Sequence, residues 1–211
     1  MKLFILGLSL LLSGCALADK GPGSLPYKYW RLGFLAPDHM EVWVETADVE
    51  DVRGQKFFKM GAGTVSVHLP TGGQGHAAGW PSNLGWGAGR YVNDADLPKR
   101  LYVRWQSLAE PQTYRIFIDI PERARQLMSE RLEPPCQTSE YREALAIGLA
   151  PGGVVKGWVM STCGKPIEVF RAQAEIEPKG PYGGESGGEY YFLSDQSKAY
   201  IQQHGIPYGS W

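Results

Sequence analysis

One cysteine near the start of the chain stands in a setting that suits acylation of its thiol. A positive start, Met1-Lys2, precedes a mainly apolar run at residues 3–12. A run of about ten residues has the length of a secretion signal and is roughly half of what a membrane-spanning helix needs. Ser13-Gly14 then precedes Cys15. Small residues here let the chain lie extended in a peptidase groove, and the following thiol can take a diacylglycerol group.

The tetrapeptide Leu12-Ser13-Gly14-Cys15 resembles the bacterial lipobox. This resemblance predicts that residues 1–14 are a cleaved signal and that Cys15 carries the lipid; an ordinary signal peptide with an incidental cysteine is the alternative. A diacylglycerol group and an N-acyl group together carry three acyl chains. At about 0.8 kcal/mol per buried methylene, these chains would anchor the protein permanently. Ala16-Leu17 follows where an aspartate would resemble an inner-membrane retention signal. We therefore expect the periplasmic side of the outer membrane.

The other two cysteines, Cys136 and Cys163, form an even pair in a compartment that we expect to be oxidising. Such a pair favours a disulfide, and two separate buried thiols are the alternative. The sequence has no CxxC or HExxH pattern, and its four histidines are scattered. We therefore predict neither a metal nor a cofactor.

The charge of the chain argues against nucleic acid as a partner. Lysine and arginine total 21, aspartate and glutamate total 22, and the net charge is −1 without any basic run. Nothing after Leu12 is long and apolar enough to span a bilayer. We therefore predict contact with the membrane only through the N-terminal lipid.

The composition, with 27 glycines, 15 prolines and 12% aromatic residues, is typical of short strands joined by turns. We predict a mainly β (α+β) fold, an antiparallel β-sandwich or curved sheet with about three short helices. Residues 15–26 are predicted to be a flexible tether, and residues 27–211 a single globular domain.

Alternating or β-rich segments predict nine strands, at residues 27–35, 41–46, 55–60, 63–69, 100–107, 112–120, 154–160, 167–176 and 189–193. Helix formers and caps predict helices at residues 122–132, 138–146 and 195–204. Ser194 is the expected N-cap of the last helix, and Gly205 its C-terminal stop. Asp38-His39 is interpreted as a turn pair between the first two strands.

The stretch from 70 to 91 is the least regular part, with seven glycines among 22 residues. A loop this long is usually functional or disordered, and its tryptophans argue against disorder. A second glycine-rich loop spans residues 177–189. Exposed aromatic side chains on loops are good anchors for proteins. We predict partner-binding residues at His76, Trp80, Trp86, Arg90, Tyr91, Tyr182 and Glu185; the alternative is that the aromatic ones fill the core.

No set of residues predicts catalysis. The chain has no GxSxG elbow, and Gly72-Gly73-Gln74-Gly75 lacks the spacing of a phosphate-binding loop. His76 would be a base only beside an acid in a deep pocket. We therefore expect that the protein is not an enzyme.

Several short motifs resemble the bacterial lipoprotein family DUF2931, a domain of unknown function, and they span nearly the whole mature chain. They are Trp30, Gly33, Ala36-Pro37, Leu97-Pro98, Trp105, Ser107, Glu110, Tyr114, residues 148–153, Trp158 and the ending 204–211. The ending, His-Gly-Ile-Pro-Tyr-Gly-Ser-Trp, is the most specific of them. The resemblance implies similarity to the immunity partners of lipase effectors of type VI secretion systems.

The leading hypothesis is an anchored periplasmic immunity lipoprotein that binds a cognate toxin, a phospholipase effector. Its loops, mainly 72–91 and secondarily 180–189, would plug the substrate entrance of the enzyme. A structural or assembly lipoprotein of the envelope without a toxin partner is the alternative. A small-ligand binder or enzyme is a third reading, favoured by a deep pocket that holds His76 with an acid.

Overall fold

The computed structural model describes residues 25–134 and 136–211, so the predicted signal, Cys15 and most of the predicted tether lie outside the described residues. The strands are β1 (Tyr29–Leu35), β2 (Val42–Asp51), β3 (Lys56–Thr64), β4 (Ala88–Asn93), β5 (Pro98–Ser107), β6 (Gln112–Asp119), β7 (Ala144–Ala150), β8 (Val154–Met160), β9 (Ile167–Gln173) and β10 (Glu175–Ile176). The helices are α1 (Glu122–Ser129) and α2 (Asp195–His204). Leu25, which we placed in the tether, is buried in the domain.

Two five-stranded sheets face each other and confirm the mainly β, sandwich-like prediction. The first has the order β4-β1-β7-β8-β9, and the second has the order β10-β6-β5-β2-β3. Neighbouring strands run antiparallel except β1 and β7, which are parallel. All strands of the second sheet except β10 lie between β1 and β7 in sequence. The first sheet is therefore closed by pairing between distant segments.

The core between the sheets follows from the alternation of apolar residues along the strands. Trp30, Leu32 and Phe34 of β1 are buried there, as are Leu101, Val103 and Trp105 of β5. Side chains two residues apart share a face of a strand, so these triplets point into one layer. The Trp30 indole donates a hydrogen bond to the Asp96 carbonyl oxygen at 3.1 Å, which satisfies its polar atom inside the core.

Strand β7 replaces the second predicted helix, which was wrong. We expected a helix at 138–146 from its helix-forming residues, but residues 144–150 are buried along their whole length and pair with β1 and β8. Leu145, Ile147 and Leu149 belong to the core between the sheets. A strand that is covered on both faces shows no polar alternation, and periodicity alone does not separate it from a helix.

The outer face of β7 carries only small side chains, from Ala144, Ala146, Gly148 and Ala150. The stretch between β3 and β4 lies over this face. A Cβ atom at Gly148 would lie 2.4 Å from the Trp80 ring, so indole and backbone are in close contact. The Trp80 and Trp158 rings meet edge to face, with centroids 5.2 Å apart. The sheet is thus covered by a loop on the side that faces away from the core.

Within the described residues there are two α-helices rather than three, together with short 3-10 turns at Thr71–Gly73, Pro151–Gly153 and Pro181–Gly184. Helix α2 has the predicted bounds, with the Ser194 side chain accepting from the Ser197 amide and Gly205 at its end. Helix α1 ends three residues earlier than predicted because Leu132 donates its amide to Glu140 in an irregular pairing. Neither helix has the length and apolar character needed to cross a bilayer.

Several strand predictions need correction. The segment 167–176 was predicted as one strand, but it is divided between β9 in the first sheet and β10 in the second. The segments 55–60 and 63–69 were predicted as two strands, but one strand, β3, ends at Thr64. Residues 189–193 form no strand. They lie against the second sheet, where the Tyr191 amide donates to the Gln106 side chain at 2.7 Å. Strand β4 lies in the stretch that we predicted to be irregular, and it pairs with β1.

The predicted disulfide between Cys136 and Cys163 is present, with the two Cα atoms 5.8 Å apart. It joins the segment before β7 to the turn between β8 and β9. The Thr138 and Thr162 hydroxyls beside it are hydrogen-bonded at 2.6 Å. The bond therefore fixes the two segments that flank the first sheet at the end where β1 begins.

Candidate functional site

Strand β1 runs from one end of the first sheet to the other, and its two termini serve to name these ends. Its first residue, Tyr29, follows Leu25 and Tyr27, and the Tyr27 hydroxyl donates to the Met128 carbonyl oxygen at 3.0 Å. We call this the entry end. Its last residue, Leu35, marks the far end, and seven residues at about 3.3 Å each separate the two ends by about 20 Å.

The seven predicted partner-binding residues are distributed over three surfaces. His76 and Trp80 line a cleft at the far end. Trp86 and Tyr91 line a groove at the entry end, and Arg90 is exposed on the adjoining edge strand β4. Tyr182 lies over the outer face of the second sheet, and Glu185 follows it in an exposed turn. The two glycine-rich loops therefore do not form one continuous surface.

The far-end cleft is an open depression with a volume of about 740 Å³. Polar and charged groups on one side include Asp38, His68 and His76; Trp80 and Leu84 are on the apolar side. The sequence interpretation placed Asp38 in a turn but not in a site. The chain brings it to His76 by folding residues 70–80 back over the turn that follows β1, a juxtaposition that spacing alone does not reveal.

Asp38 is the acidic residue that lines the far-end cleft. Its Oδ2 atom lies 3.4 Å from the His68 Nδ1 atom and 3.4 Å from the His76 amide nitrogen, and both contacts are long. Its Oδ1 atom is buried without a hydrogen-bond partner. The Asp38 side chain is 13% exposed and that of His68 is 70% exposed, so their contact is open to solvent on the histidine side. One oxygen of the Asp38 carboxylate is thus buried without a partner, and the other has only long contacts.

The loop that forms one wall of the far-end cleft is held in place by the last residues of the sequence. Ala77 donates its amide to the Tyr200 hydroxyl at 3.2 Å and accepts from the Trp211 indole at 2.8 Å. The Gly79 amide donates to the Ser210 hydroxyl at 3.2 Å. A loop with its backbone groups paired in this way opens less readily than one that is bonded to water alone.

His39 supports the same loop from the inside of the domain. Residues of a turn are usually exposed, but His39 is not. It is fully buried, and its ring stacks on Tyr200 with centroids 4.0 Å apart. Its Nε2 atom lies 2.7 Å from the Gln74 carbonyl oxygen. Its role in the described structure is therefore to support the loop, whereas the neighbouring Asp38 faces the cleft.

Glu110 connects three of the motifs on which the family resemblance rests. Its Oε1 atom accepts from the Tyr114 hydroxyl at 3.0 Å and from the Gly152 amide at 2.7 Å. Its Oε2 atom accepts from the Tyr208 hydroxyl at 2.6 Å. No local pattern predicts that these motifs meet, because they are separated along the chain by up to 98 residues. One carboxylate thus ties the C-terminal segment to the ends of both sheets.

Replacing Glu110 by alanine is expected to lower the free energy of unfolding by about 2 kcal/mol, because the Tyr114 hydroxyl and the Gly152 amide lose a charged acceptor. The expected loss stays moderate because Tyr208 is 57% exposed. Urea denaturation measures the change. The matched control is Glu140→Ala, whose ion pair with Arg131 joins side chains that are 54% and 55% exposed. That control should cost less than about 0.5 kcal/mol, and equal losses in both variants would contradict the role of Glu110.

Two tyrosines in this network hold their protons to high pH. Burial, followed by the hydrogen bond to Glu110, raises the pKa of Tyr208 from 10.0 to about 12. Burial and the Glu110 charge also raise the pKa of Tyr114 well above its ordinary value. A hydroxyl beside a carboxylate resists ionisation because the phenolate would place two negative charges together.

The raised pKa of Tyr208 predicts a loss of stability in alkaline solution. The folded pKa lies above the unfolded value of 10.0, so the contribution is fully present below pH 10 and is lost as the pH rises towards 12. Melting temperatures measured from about pH 9 to about pH 12 should therefore fall less steeply for Tyr208→Phe than for the natural chain, since phenylalanine has no proton to lose. Parallel curves would show that this contact contributes nothing.

Tyr182 is fixed to the second sheet rather than free in a loop. Its amide donates to the Glu45 Oε1 atom at 2.8 Å, and its hydroxyl accepts from the Trp43 indole at 2.7 Å. The Glu45 side chain is fully buried and also accepts from Arg104. Tyr182 nevertheless keeps 37% of its surface exposed. Tyr182 is therefore packed against the sheet and also partly exposed. The sequence analysis considered an exposed binding residue and a core residue, and Tyr182 lies between the two.

The entry-end groove has a volume of about 500 Å³ and lies beside the disulfide. The rings of Tyr29 and Tyr91 meet edge to face at 4.9 Å, and the Arg31 guanidinium lies 5.6 Å from the Tyr91 centroid. Arg31 also donates to the Gly87 carbonyl oxygen at 3.1 Å. The other residues that line the groove are Trp86, Thr138, Ser139, Glu143, Ser161 and Thr162.

Among the residues that the structure describes, no three histidine, cysteine, aspartate or glutamate side chains are arranged to hold a metal ion. His76, which we considered as a base only beside an acid in a deep pocket, does share a cleft with Asp38, and this observation favours a ligand-binding function. Its amide, rather than its ring, contacts Asp38; the ring Nδ1 atom accepts from the Ala78 amide at 3.1 Å. The arrangement therefore suits binding better than proton transfer.

Comparison with known proteins supports the resemblance that the motifs suggested. A family model described as Protein of unknown function (DUF2931) matches residues 17–209. Neither the curated proteins nor the solved structures contain a match to the chain. The matched segment includes both sheets, the far-end cleft and the Glu110 contacts. The chain therefore belongs to the DUF2931 family of proteins of unknown function.

Proposed function

We propose that this protein is an immunity lipoprotein, anchored through Cys15 to the periplasmic side of the outer membrane, which binds and occludes a cognate type VI secreted phospholipase. The observation that supports this most is the far-end cleft, whose loop is hydrogen-bonded in place and whose Asp38 carboxylate is under-paired. A surface that is already ordered binds without the entropy cost of fixing a loop.

The cleft suits a basic side chain of a partner protein. Asp38 offers a carboxylate that has only long contacts to His68 and to the His76 amide, and a lysine or arginine entering the cleft would give it a full counter-charge. Trp80 and Leu84 supply an apolar wall for the aliphatic part of such a side chain. Occlusion then follows from seating the rigid loop against the substrate entrance of the toxin.

The described end of the proposed tether and the far-end cleft lie at opposite ends of the first sheet. The described chain begins at Leu25 near the entry end, whereas the cleft begins at Leu35, about 20 Å further along β1. A tether at the entry end leaves the far end open to a protein that approaches the same membrane. Anchoring also raises the effective concentration of the inhibitor where the toxin acts.

The test is a competition between sibling cells. The proposal predicts a phospholipase gene beside this one. Deleting the gene for this chain should make a strain sensitive to siblings that deliver that phospholipase, and the full chain should restore protection. Asp38→Asn should lose protection and weaken binding to that purified phospholipase in calorimetry. The matched control, Asp195→Asn, alters a fully exposed carboxylate on α2 and should protect normally. Normal survival of the deleted strain would overturn the proposal.

A small-ligand binder is the second candidate, and the sharing of one cleft by His68, His76 and Asp38 favours it. The ligand would be a small amine or polyol that donates hydrogen bonds to the carboxylate. Melting-temperature shifts with spermidine or glucose that disappear in Asp38→Asn would support this candidate. Protection of cells without any such shift would support the immunity function.

A further inference from the structure

The entry-end groove combines three kinds of side chain that none of the functions above uses together. It has exposed aromatic rings, a half-buried arginine and a row of hydroxyl groups beside one carboxylate. We infer that this groove binds the headgroup of a zwitterionic phospholipid, such as phosphatidylethanolamine, at the membrane surface. The inference rests on the proposed anchoring at Cys15, but not on the identity of the toxin.

The length of chain between the proposed anchor and the fold limits how far this end can lie from the membrane. Ten residues separate Cys15 from Leu25, and even fully extended they reach about 35 Å. Leu25 is buried, and four residues further on Tyr29 forms part of the groove. Of the surfaces that carry predicted binding residues, the groove is therefore the one that lies beside the point where the tether joins the fold.

The aromatic residues of the groove have the chemistry of a membrane interface. Tyr29 is 44% exposed, Tyr91 is 53% exposed and Trp86 is 37% exposed, so each presents part of its ring to the outside. Tryptophan and tyrosine are enriched at the headgroup level of bilayers because their rings are apolar and carry one polar atom. Arg90 precedes Tyr91 on the same edge strand, but it lines a separate depression with Phe34 and Val44 and does not belong to this groove.

Arg31 is placed to receive a phosphate group. One of its Nη atoms donates to the Gly87 carbonyl oxygen, and its Nε atom is buried and therefore out of reach of a ligand in the groove. A guanidinium has several donors in a planar fork that fits phosphate oxygens, and the Thr138 and Thr162 hydroxyls in the same groove are further donors. The phosphate of a headgroup would accept hydrogen bonds from the Nη donors that the contact with Gly87 leaves over.

Glu143 determines the headgroup preference of the groove. It lines the groove with Arg31, and its Oε1 atom accepts from the Ser139 hydroxyl at 2.9 Å. Among the described residues no ion pair joins Glu143 to Arg31. Two opposite charges that share a groove without pairing match the phosphate and the ammonium group of a zwitterionic headgroup, whereas an anionic headgroup would meet repulsion from the carboxylate.

The experiment uses the full, acylated chain in liposomes of phosphatidylethanolamine and phosphatidylcholine with brominated acyl chains, which quench nearby tryptophan fluorescence. Trp86→Phe should remove most of the quenching seen with the natural chain. Trp211→Phe is the matched control at the far end and should leave the quenching unchanged. Equal quenching of the natural chain and Trp86→Phe would overturn the inference, even where palmitate labelling proves that the anchor is present.

A second arm tests the headgroup. Replacing phosphatidylethanolamine by phosphatidylglycerol should reduce the quenching of Trp86, and Arg31→Gln should reduce it in both lipids. Glu143→Gln should abolish the preference for the zwitterionic lipid while leaving the fold intact by circular dichroism. Quenching that is independent of lipid and of Arg31 would overturn the inference. Inorganic phosphate that binds the chain while liposomes leave Trp86 unquenched would also overturn it, as would burial of Trp86 against the toxin alone.

Discussion

Cys15→Ser is expected to leave the protein unprocessed and without fatty acid, because a hydroxyl does not replace the thiol that accepts the diacylglycerol group. The consequence is the largest that we predict for any single substitution. Each buried methylene contributes about 0.8 kcal/mol to membrane affinity, so the loss of all acyl chains removes essentially the whole attachment. Metabolic labelling with palmitate, together with membrane fractionation, measures both effects.

The matched control for this substitution is Ser13→Ala, which keeps a small residue before the cleavage point and should be acylated normally. Cells that carry Cys15→Ser should also lose protection from the toxin, since effective concentration at the membrane falls. Unchanged processing and unchanged fractionation of Cys15→Ser would refute the lipoprotein assignment. The immunity proposal and the lipid inference would then lose their shared premise.

Trp30→Ala is expected to have the largest effect on stability, a loss of about 3–5 kcal/mol in the free energy of unfolding. The Trp30 side chain is completely buried between the sheets, and its indole donates to the Asp96 carbonyl oxygen. Removing it leaves a cavity that the surrounding β strands fill only in part, and it also leaves that carbonyl without its donor. Urea denaturation monitored by circular dichroism measures the change.

The control for this prediction is Trp86→Ala, which removes the same side chain from a position that is 37% exposed. Its expected cost is below about 1 kcal/mol, because a surface ring leaves no closed cavity. If both variants lose the same stability, the assignment of Trp30 to the core layer is wrong. The comparison also establishes that Trp86 variants are folded, which the fluorescence experiment requires.

Local signals in the sequence were sufficient for elements that carry their own boundaries. Helix α2 begins after Ser194 and ends before Gly205 as predicted, because both caps act within one turn of the helix. Strand β8 also has the predicted bounds, since Gly152-Gly153 marks its start. The disulfide prediction was confirmed because, apart from Cys15, only two cysteines remained to pair.

Elements that depend on distant partners were not predictable in this way. Strand β4 includes Ala88-Gly89, which has a low intrinsic preference for strands, and it forms because β1 offers a free edge almost 60 residues earlier, with Arg31 opposite Tyr91. A Cβ atom at Gly89 would lie 1.8 Å from the Leu32 carbonyl oxygen, so the glycine permits the close approach of the two strands. Tertiary contact, and not propensity, decides such a segment.

The candidate site was foreseen in its loops but not in its geometry. The sequence identified the loop that carries His76 and Trp80, yet not the cleft that it forms with Asp38. That cleft depends on where the last residues of the sequence lie, because Trp211 and Ser210 hold the loop over the sheet. The division of the loops among three surfaces likewise follows from packing, which no local pattern encodes.

The small outer face of β7 has a consequence for how this scaffold can change. Its inward residues, Leu145, Ile147 and Leu149, serve the core, whereas Ala144 and Gly148 only give room to the overlying loop. The two tasks are carried by alternate positions of one strand, so a different loop can be grafted over a flat floor without repacking the interior. Exchanging the loop that lies over this face should therefore change recognition, whereas the residues between the sheets keep their packing.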